Sequence, residues 1–277
     1  MVRIIPLDSV PLVERAHVRE GLFRSRRLLI GEPRTAGNFS LQLVLTPNSY
    51  ESPRHRHNFD QVRYQIEGDF DFGPDGKMHP GSIAYFPEAT HYGPQSSTGA
   101  SLTLVLQFGG ASGDGYISSE QYAEAMQTLA AVGTFAKGVY TRLKPDGGKS
   151  NQDAYEAVWE KVNGRPLVYP PRRYARAIFT EPENFRWVPI PGQPGTSAKL
   201  LGIFSERQTK LALYRVEPGA SLALEDESIY FVTSGAGTVD GSTIEKHTTI
   251  HLARADRAVA RANEVTELLQ LGLPRFD

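Results

Sequence analysis

An internal repeat is the feature that most constrains this chain. The segment SIYFVTSGAGTV (228–239) resembles QVRYQIEGDFDF (61–72), with Gly68 matching Gly235. TIHLARADR (249–257) then echoes IAYFPEATH (83–91) in hydrophobic pattern and position. A repeat of this length implies two similar domains in one chain. Their content is β: FSLQLVL (39–45), QVRYQI (61–66), DFDF (69–72), SIAYF (82–86) and SLTLVLQF (101–108) are short, rich in β-branched or aromatic residues and bounded by turns such as GPDG (73–76). Strands at this spacing suggest an all-β sandwich or small barrel. With 277 residues there is ample material for a core.

The middle of the chain changes character. Ser118 with Gln121 resembles a capping box ahead of EQYAEAMQTLAAV, and a second helix is expected at 151–162, where Tyr155, Val158, Trp159 and Val162 share one face. The expected division is a barrel at 1–112, a helical linker or insertion at 113–170 and a second barrel at 171–277. The helices could cap a barrel mouth or pack at the domain boundary.

Thirty Lys and Arg against 31 Asp and Glu argue against a nucleic-acid binder and a polybasic membrane anchor. No segment approaches eighteen apolar residues and the N-terminus does not read as a secretory signal, so the default location is cytoplasmic. The absence of cysteine removes disulfides, thiolate ligands and cysteine nucleophiles. Serine-hydrolase elbows, phosphate loops and dinucleotide fingerprints are also missing.

The chemistry concentrates in SPRHRHNFDQVRYQIEG (52–68). His55 and His57 alternate on an extended segment and can face one ion, while Gln61 opens the next strand and His91 follows a later one. Three imidazoles and an oxygen donor would suit a first-row divalent metal. If Gln61 faces the interior, Arg63 and Gln65 do too, and Val62, Tyr64 and Ile66 face away. Arg63 could grip a substrate carboxylate or phenolate, or form a salt bridge to Asp60, Glu67 or another acid. Tyr92 could sit at the pocket mouth as a hydrogen-bond donor, or pack.

These residues resemble the cupin superfamily, with first motif G-x5-H-x-H-x(3,4)-E-x6-G and second motif G-x5-P-x-G-x2-H-x3-N. His55 and His57 match H-x-H, Gln61 stands at the glutamate, and Gly68 closes the motif. Gly81 and Pro87 match the second, with His91 at its histidine and Gln95 at its asparagine, if PEATH is one residue short. Ser49 stands at the opening glycine. The resemblance implies two cupin barrels (double-stranded β-helix, jelly-roll) with a short helical insertion. It also implies a divalent metal held by His55, His57, Gln61 and His91. Gln61 would either ligate the ion or hydrogen-bond its water, and would leave the site more electropositive than glutamate does.

The function expected from this resemblance is a cupin oxygenase of dioxygenase type. Fe(II) is the favoured ion, O2 a co-substrate, and the substrate a small anionic enol, phenol or keto acid anchored by Arg63. Alternatives are a non-redox isomerase, lyase or decarboxylase using Zn(II), Ni(II) or Mn(II), and a binding protein without turnover. In simple register the second repeat places Leu222, Leu224, Ser228 and Arg257 at the ligand positions, so it is expected to support the fold and assembly. A homodimer is compatible with the apolar face of strand 61–66.

Overall fold

The computed structural model describes residues 1–16, 22–47, 50–113 and 116–276. It divides into two units, one of Leu12–Phe179 and one of Met1–Pro11 with Thr180–Asp277. Each is a β-barrel built from a large antiparallel sheet and a four-stranded one.

In the first unit the large sheet runs Ile178–Thr180, Ile83–Phe86, Phe59–Glu67, Ser101–Gly109, Phe39–Thr46, Leu22–Ile30 and Val13–Ala16. Its companion runs Tyr50–Ser52, Gln95–Ser97, Phe70–Asp71 and Lys77–Met78. The second unit repeats this order: Thr249–Leu252, Ser228–Ser234, Thr266–Gly272, Thr209–Val216 and Thr196–Phe204 form the corresponding sheet. The matched glycines explain themselves physically. Gly68 and Gly235 have φ of +68° and +83°, and a Cβ on either would lie 2.4 Å from a carbonyl oxygen, of Ala100 and Val265 respectively. Only glycine tolerates both conditions.

The domain limits differ from those expected at 112 and 170. Arg3–Ile5 adds as an edge strand to Thr249–Leu252 in the second unit, a pairing across most of the chain that no local pattern announces. The expected helical linker belongs to the first unit and is partly β: strands Gly133–Ala136, Val139–Leu143 and Lys149–Asp153 form a three-stranded sheet between its helices. Helix Ser119–Ala130 begins at the Ser118–Gln121 capping box. Helix Ala154–Asn163 starts at Asp153, whose carboxylate accepts from two backbone N–H groups, and ends at Gly164 in the left-handed conformation. Its Tyr155, Val158 and Trp159 are buried with Phe59, Ile117 and Ala125. Among the described residues no helix is long and apolar enough to cross a membrane.

Candidate metal centre in the N-terminal barrel

Backbone pairing decides which side chains meet. His55 N donates to Tyr92 O at 3.1 Å and Tyr92 N to His55 O at 2.9 Å, an isolated antiparallel bridge. Residues directly opposed in this way point to the same side, and so does His57, two positions on from His55. Tyr92 is therefore drawn in beside both imidazoles and is 1% exposed, rather than sitting at a pocket mouth.

His91 is not. As the neighbour of Tyr92 it faces the opposite side and is exposed. Partial burial, then Arg56, Arg54 and Arg172, hold its imidazole below the ordinary range. The expected placement of His91 beside the two imidazoles is not found; Tyr92 stands there instead. The physical reason lies in the loop, which is not shortened. Pro87, Glu88, Ala89, Thr90, His91 and Tyr92 supply all six positions of P-x-G-x-x-H, and Ala89 takes the glycine's place with φ of 63°. Ser49, at the first motif's opening glycine, lies outside the described residues.

The three inward groups converge. Tyr92 Oη lies 2.7 Å from His57 Nε2 and 3.0 Å from His55 Nε2. On the far side of each ring, His55 Nδ1 is 2.7 Å from Pro53 O and His57 Nδ1 3.1 Å from Phe59 O. A carbonyl only accepts, so each Nδ1 carries the proton and each Nε2 presents a lone pair to the phenol. The phenol oxygen thus lies within hydrogen-bond reach of both lone pairs. Gln95 Nε2 lies 3.5 Å from His55 Nε2 and can donate to it, which leaves the Gln95 Oε1 buried without a hydrogen-bond partner among the described residues. Turned over, that amide would present an oxygen to the same point. Two imidazole nitrogens fixed by second-side hydrogen bonds, a phenol oxygen and an amide oxygen fit a divalent first-row cation. The set relies on Tyr92: among the described residues no three His, Asp or Glu side chains gather to hold an ion.

Beside these donors opens a cavity of about 490 Å3. Gln61 and Arg63 line it, as the strand alternation requires. The Gln61 amide lies 2.9 Å from Gln107 Nε2; with its oxygen turned to the guanidinium it accepts from Arg63 Nε at 2.8 Å and Nη2 at 3.1 Å. A guanidinium can only donate, so that orientation satisfies Arg63. The cation rests over Phe70, Phe72 and Phe86 at 5.5, 5.2 and 5.2 Å from their ring centres. Among the described residues no carboxylate pairs with it. Asp60 and Glu67, the acids nearest in sequence, are on neither of its contacts, and Asp60 faces away from the cavity.

Asp60 instead fastens the loop that carries Tyr92. Its oxygens accept from Glu88 N and from Tyr85 Oη, each at 2.8 Å. Glu88 is in turn held by Ser112 and by Arg173 Nη1 at 2.6 Å. Burial lifts the Asp60 carboxyl to about 7, against the lowering effect of its two hydrogen bonds.

No protein-family model matches the sequence, and no curated protein matches it. Solved structures do. A candidate dioxygenase from Nostoc punctiforme superposes with a TM-score of 0.64 at 11% identity, over 98% of this chain and 82% of that one. A candidate glyoxylate-induced protein from Pseudomonas aeruginosa gives 0.59 at 15%, over 100% and 90%. An oxalate decarboxylase variant from Bacillus subtilis gives 0.55 at 12%, over 99% and 78%. The chain has the bicupin fold. At these identities the likeness is one of architecture.

Within the bicupin, the second barrel places an aromatic core residue at the position of Arg63. Arg63 pairs across the sheet with Ala84 and Val105; Tyr230, its counterpart, pairs with Ile250 and Gln270. Tyr230 packs with Tyr214, Leu222, Leu224 and Leu268 in one apolar cluster. Leu222 and Leu224, matched in register to the two histidines, are core residues, and Arg257 is exposed.

Proposed function

We propose that this bicupin is a metal-dependent enzyme of oxygenase type acting on a small organic anion in its N-terminal barrel. His55, His57 and Tyr92 would be its metal ligands and Gln95 a fourth donor. The observation that carries this reading is the convergence of two Nε2 lone pairs on one phenol, with both Nδ1 protons committed to backbone carbonyls. A bound divalent ion, Fe(II) in the first instance, would supply a Lewis-acidic centre and, with O2, a redox partner. The chain's own residues do the rest. Arg63 binds the anionic group, and Gln61 fixes the guanidinium plane. Phe70, Phe72 and Phe86 keep water from its flank, which strengthens the pairing. Tyr92 packs against Phe86 at 4.6 Å, the ring that also carries Arg63, so substrate and donor cluster are adjacent. The candidate dioxygenase among the structural neighbours supports this class.

A second reading, a non-redox lyase, isomerase or decarboxylase with Zn(II), Ni(II) or Mn(II), is favoured by one feature. A phenol hydrogen-bonded to two imidazoles can give and take a proton whatever the ion. The oxalate decarboxylase and a nickel(II) complex of Escherichia coli pirin, at 12% and 10% identity, support it.

Elemental analysis of untagged protein, beside His55→Ala/His57→Ala and Tyr92→Phe variants, separates these. One equivalent of iron, lost in the variants, with substrate-dependent O2 uptake supports the oxygenase. Zinc, nickel or manganese with turnover under nitrogen supports the second reading. No metal after anaerobic reconstitution refutes both.

A further inference from the structure

The cavity floor has a cation at each end. Arg63 pairs with Val105, Val105 with Gln42, and Gln42 with Arg27, so these four residues form one rung across four adjacent strands. All four line the cavity. Adjacent strands are about 4.8 Å apart, which places the Cα atoms of Arg63 and Arg27 about 14 Å apart along the sheet. The residues between them are uncharged, and the cavity's one lining carboxylate, Glu14, sits at its exposed edge among the described residues.

Arg27 is only partly satisfied. Its Nη1 donates to Glu120 at 2.8 Å, while its Nε is buried with no hydrogen-bond partner among the described residues. A buried donor left open is costly, and a guanidinium edge is shaped for a carboxylate. Arg63, by contrast, meets no carboxylate among the described residues and, with the Gln61 amide oxygen turned to it, spends two of its N–H groups on Gln61. Two cations, each with an unfilled edge, face one hollow walled by Phe59, Tyr116 and Tyr155.

We infer that the substrate is an elongated dianion. One carboxylate is held by Arg63 beside the donor cluster, and the other by Arg27 at the far end of the rung. Its uncharged body lies over Val105 and Gln42. This rests on the reading of Arg63 as the substrate anchor and adds a second anchor that sets chain length. Arg27 touches substrate in this scheme but lies remote from the reacting end, so it is a specificity residue.

Calorimetric titration of the full chain with straight-chain dicarboxylates, from succinate to sebacate, beside hexanoate, tests it. The dicarboxylate of best length should bind about tenfold or more tighter than hexanoate, the increment of one charge-assisted pair. Arg27→Gln should erase that preference and leave hexanoate within about twofold, while Arg63→Gln should weaken both. Glu120→Gln separates recognition from mere support of the fold. It releases Arg27 from its internal carboxylate and should tighten dicarboxylate binding, whereas a purely structural pair would weaken it or leave it unchanged. A wild type that takes hexanoate as tightly as every dicarboxylate, or an Arg27→Gln variant that keeps the preference, overturns the dianion and leaves the Arg63 anchor standing. Binding of neither probe class overturns the anionic substrate itself.

Discussion

Asp60 gives the sharpest quantitative handle on the loop that presents Tyr92. Its carboxyl is lifted from 3.8 to about 7, chiefly by burial. Below pH 4 both folded and unfolded chains carry its proton. Between about 4 and 7 the unfolded chain releases the proton while the folded one keeps it, so the folded state binds more protons and stability falls as pH rises. A gap of about three pH units at about 1.4 kcal/mol each removes about 4 kcal/mol by pH 8. Asp60→Asn cannot ionise. Its Oδ1 can still accept from Glu88 N, and its amide nitrogen can donate to Tyr85 Oη. Relative to pH 4, the variant should therefore gain on the wild type by about 1 kcal/mol at pH 5 and about 4 kcal/mol at pH 8. Urea denaturation at pH 4, 5, 6, 7 and 8 would be followed by Trp159 fluorescence in a Trp187→Phe background. Trp159 is fully buried in the same unit as Asp60, so it reports that barrel alone. Titrations not coupled to Asp60 cancel in the difference between the two proteins. A difference that stays constant across the pH range would refute the argument, as would one that shifts in favour of the wild type as pH rises.

Three further outcomes are expected. Tyr92→Phe removes the one oxygen shared by both imidazoles and should lower Fe(II) or Zn(II) affinity by at least about a hundredfold in a competition titration, whereas Tyr92→His, which completes three imidazoles, should restore it. Ala89→Gly should raise the melting midpoint, because a left-handed residue with a Cβ at φ of 63° costs about 1 kcal/mol that glycine avoids. Ser118→Ala breaks the capping box of helix Ser119–Ala130 and should cost about 1 kcal/mol in chemical denaturation, with Ser118→Asp close to neutral.

Much of the fold is legible in the sequence because its strands alternate. The stretches at 39–45, 61–66, 82–86 and 101–108 fall on strands of the first barrel, and the repeat carries the same order into the second. The glycine match proved the most physical part of that repeat, since Gly68 and Gly235 answer the same close approach. What escaped was polar or non-local. The strand Lys149–Asp153, KSNQD, has no apolar alternation to mark it and is held by its hairpin partner Val139–Leu143. Arg3–Ile5 owes its conformation to a sheet edge formed nearly 250 residues later.

The site was legible in half. His55, His57, Gln61 and Arg63 face one cavity, as their spacing of two requires, and this much follows from strand geometry alone. The other half turned on residue type. A histidine near the expected place invited a one-residue gap, although six positions counted from Pro87 end on Tyr92. The signal that could have found it was alanine at the glycine position, since only the ungapped count gives that residue a role. The two departures from the cupin motif then balance. Three histidines and a glutamate bring one negative charge to a divalent ion. Two histidines and a glutamine bring none, and in the proposed site a Tyr92 phenolate would restore it. In that proposed site glutamine at 61 would be free to turn its oxygen to Arg63, and Arg63 and Arg27 would attract an anionic substrate without an electropositive metal centre.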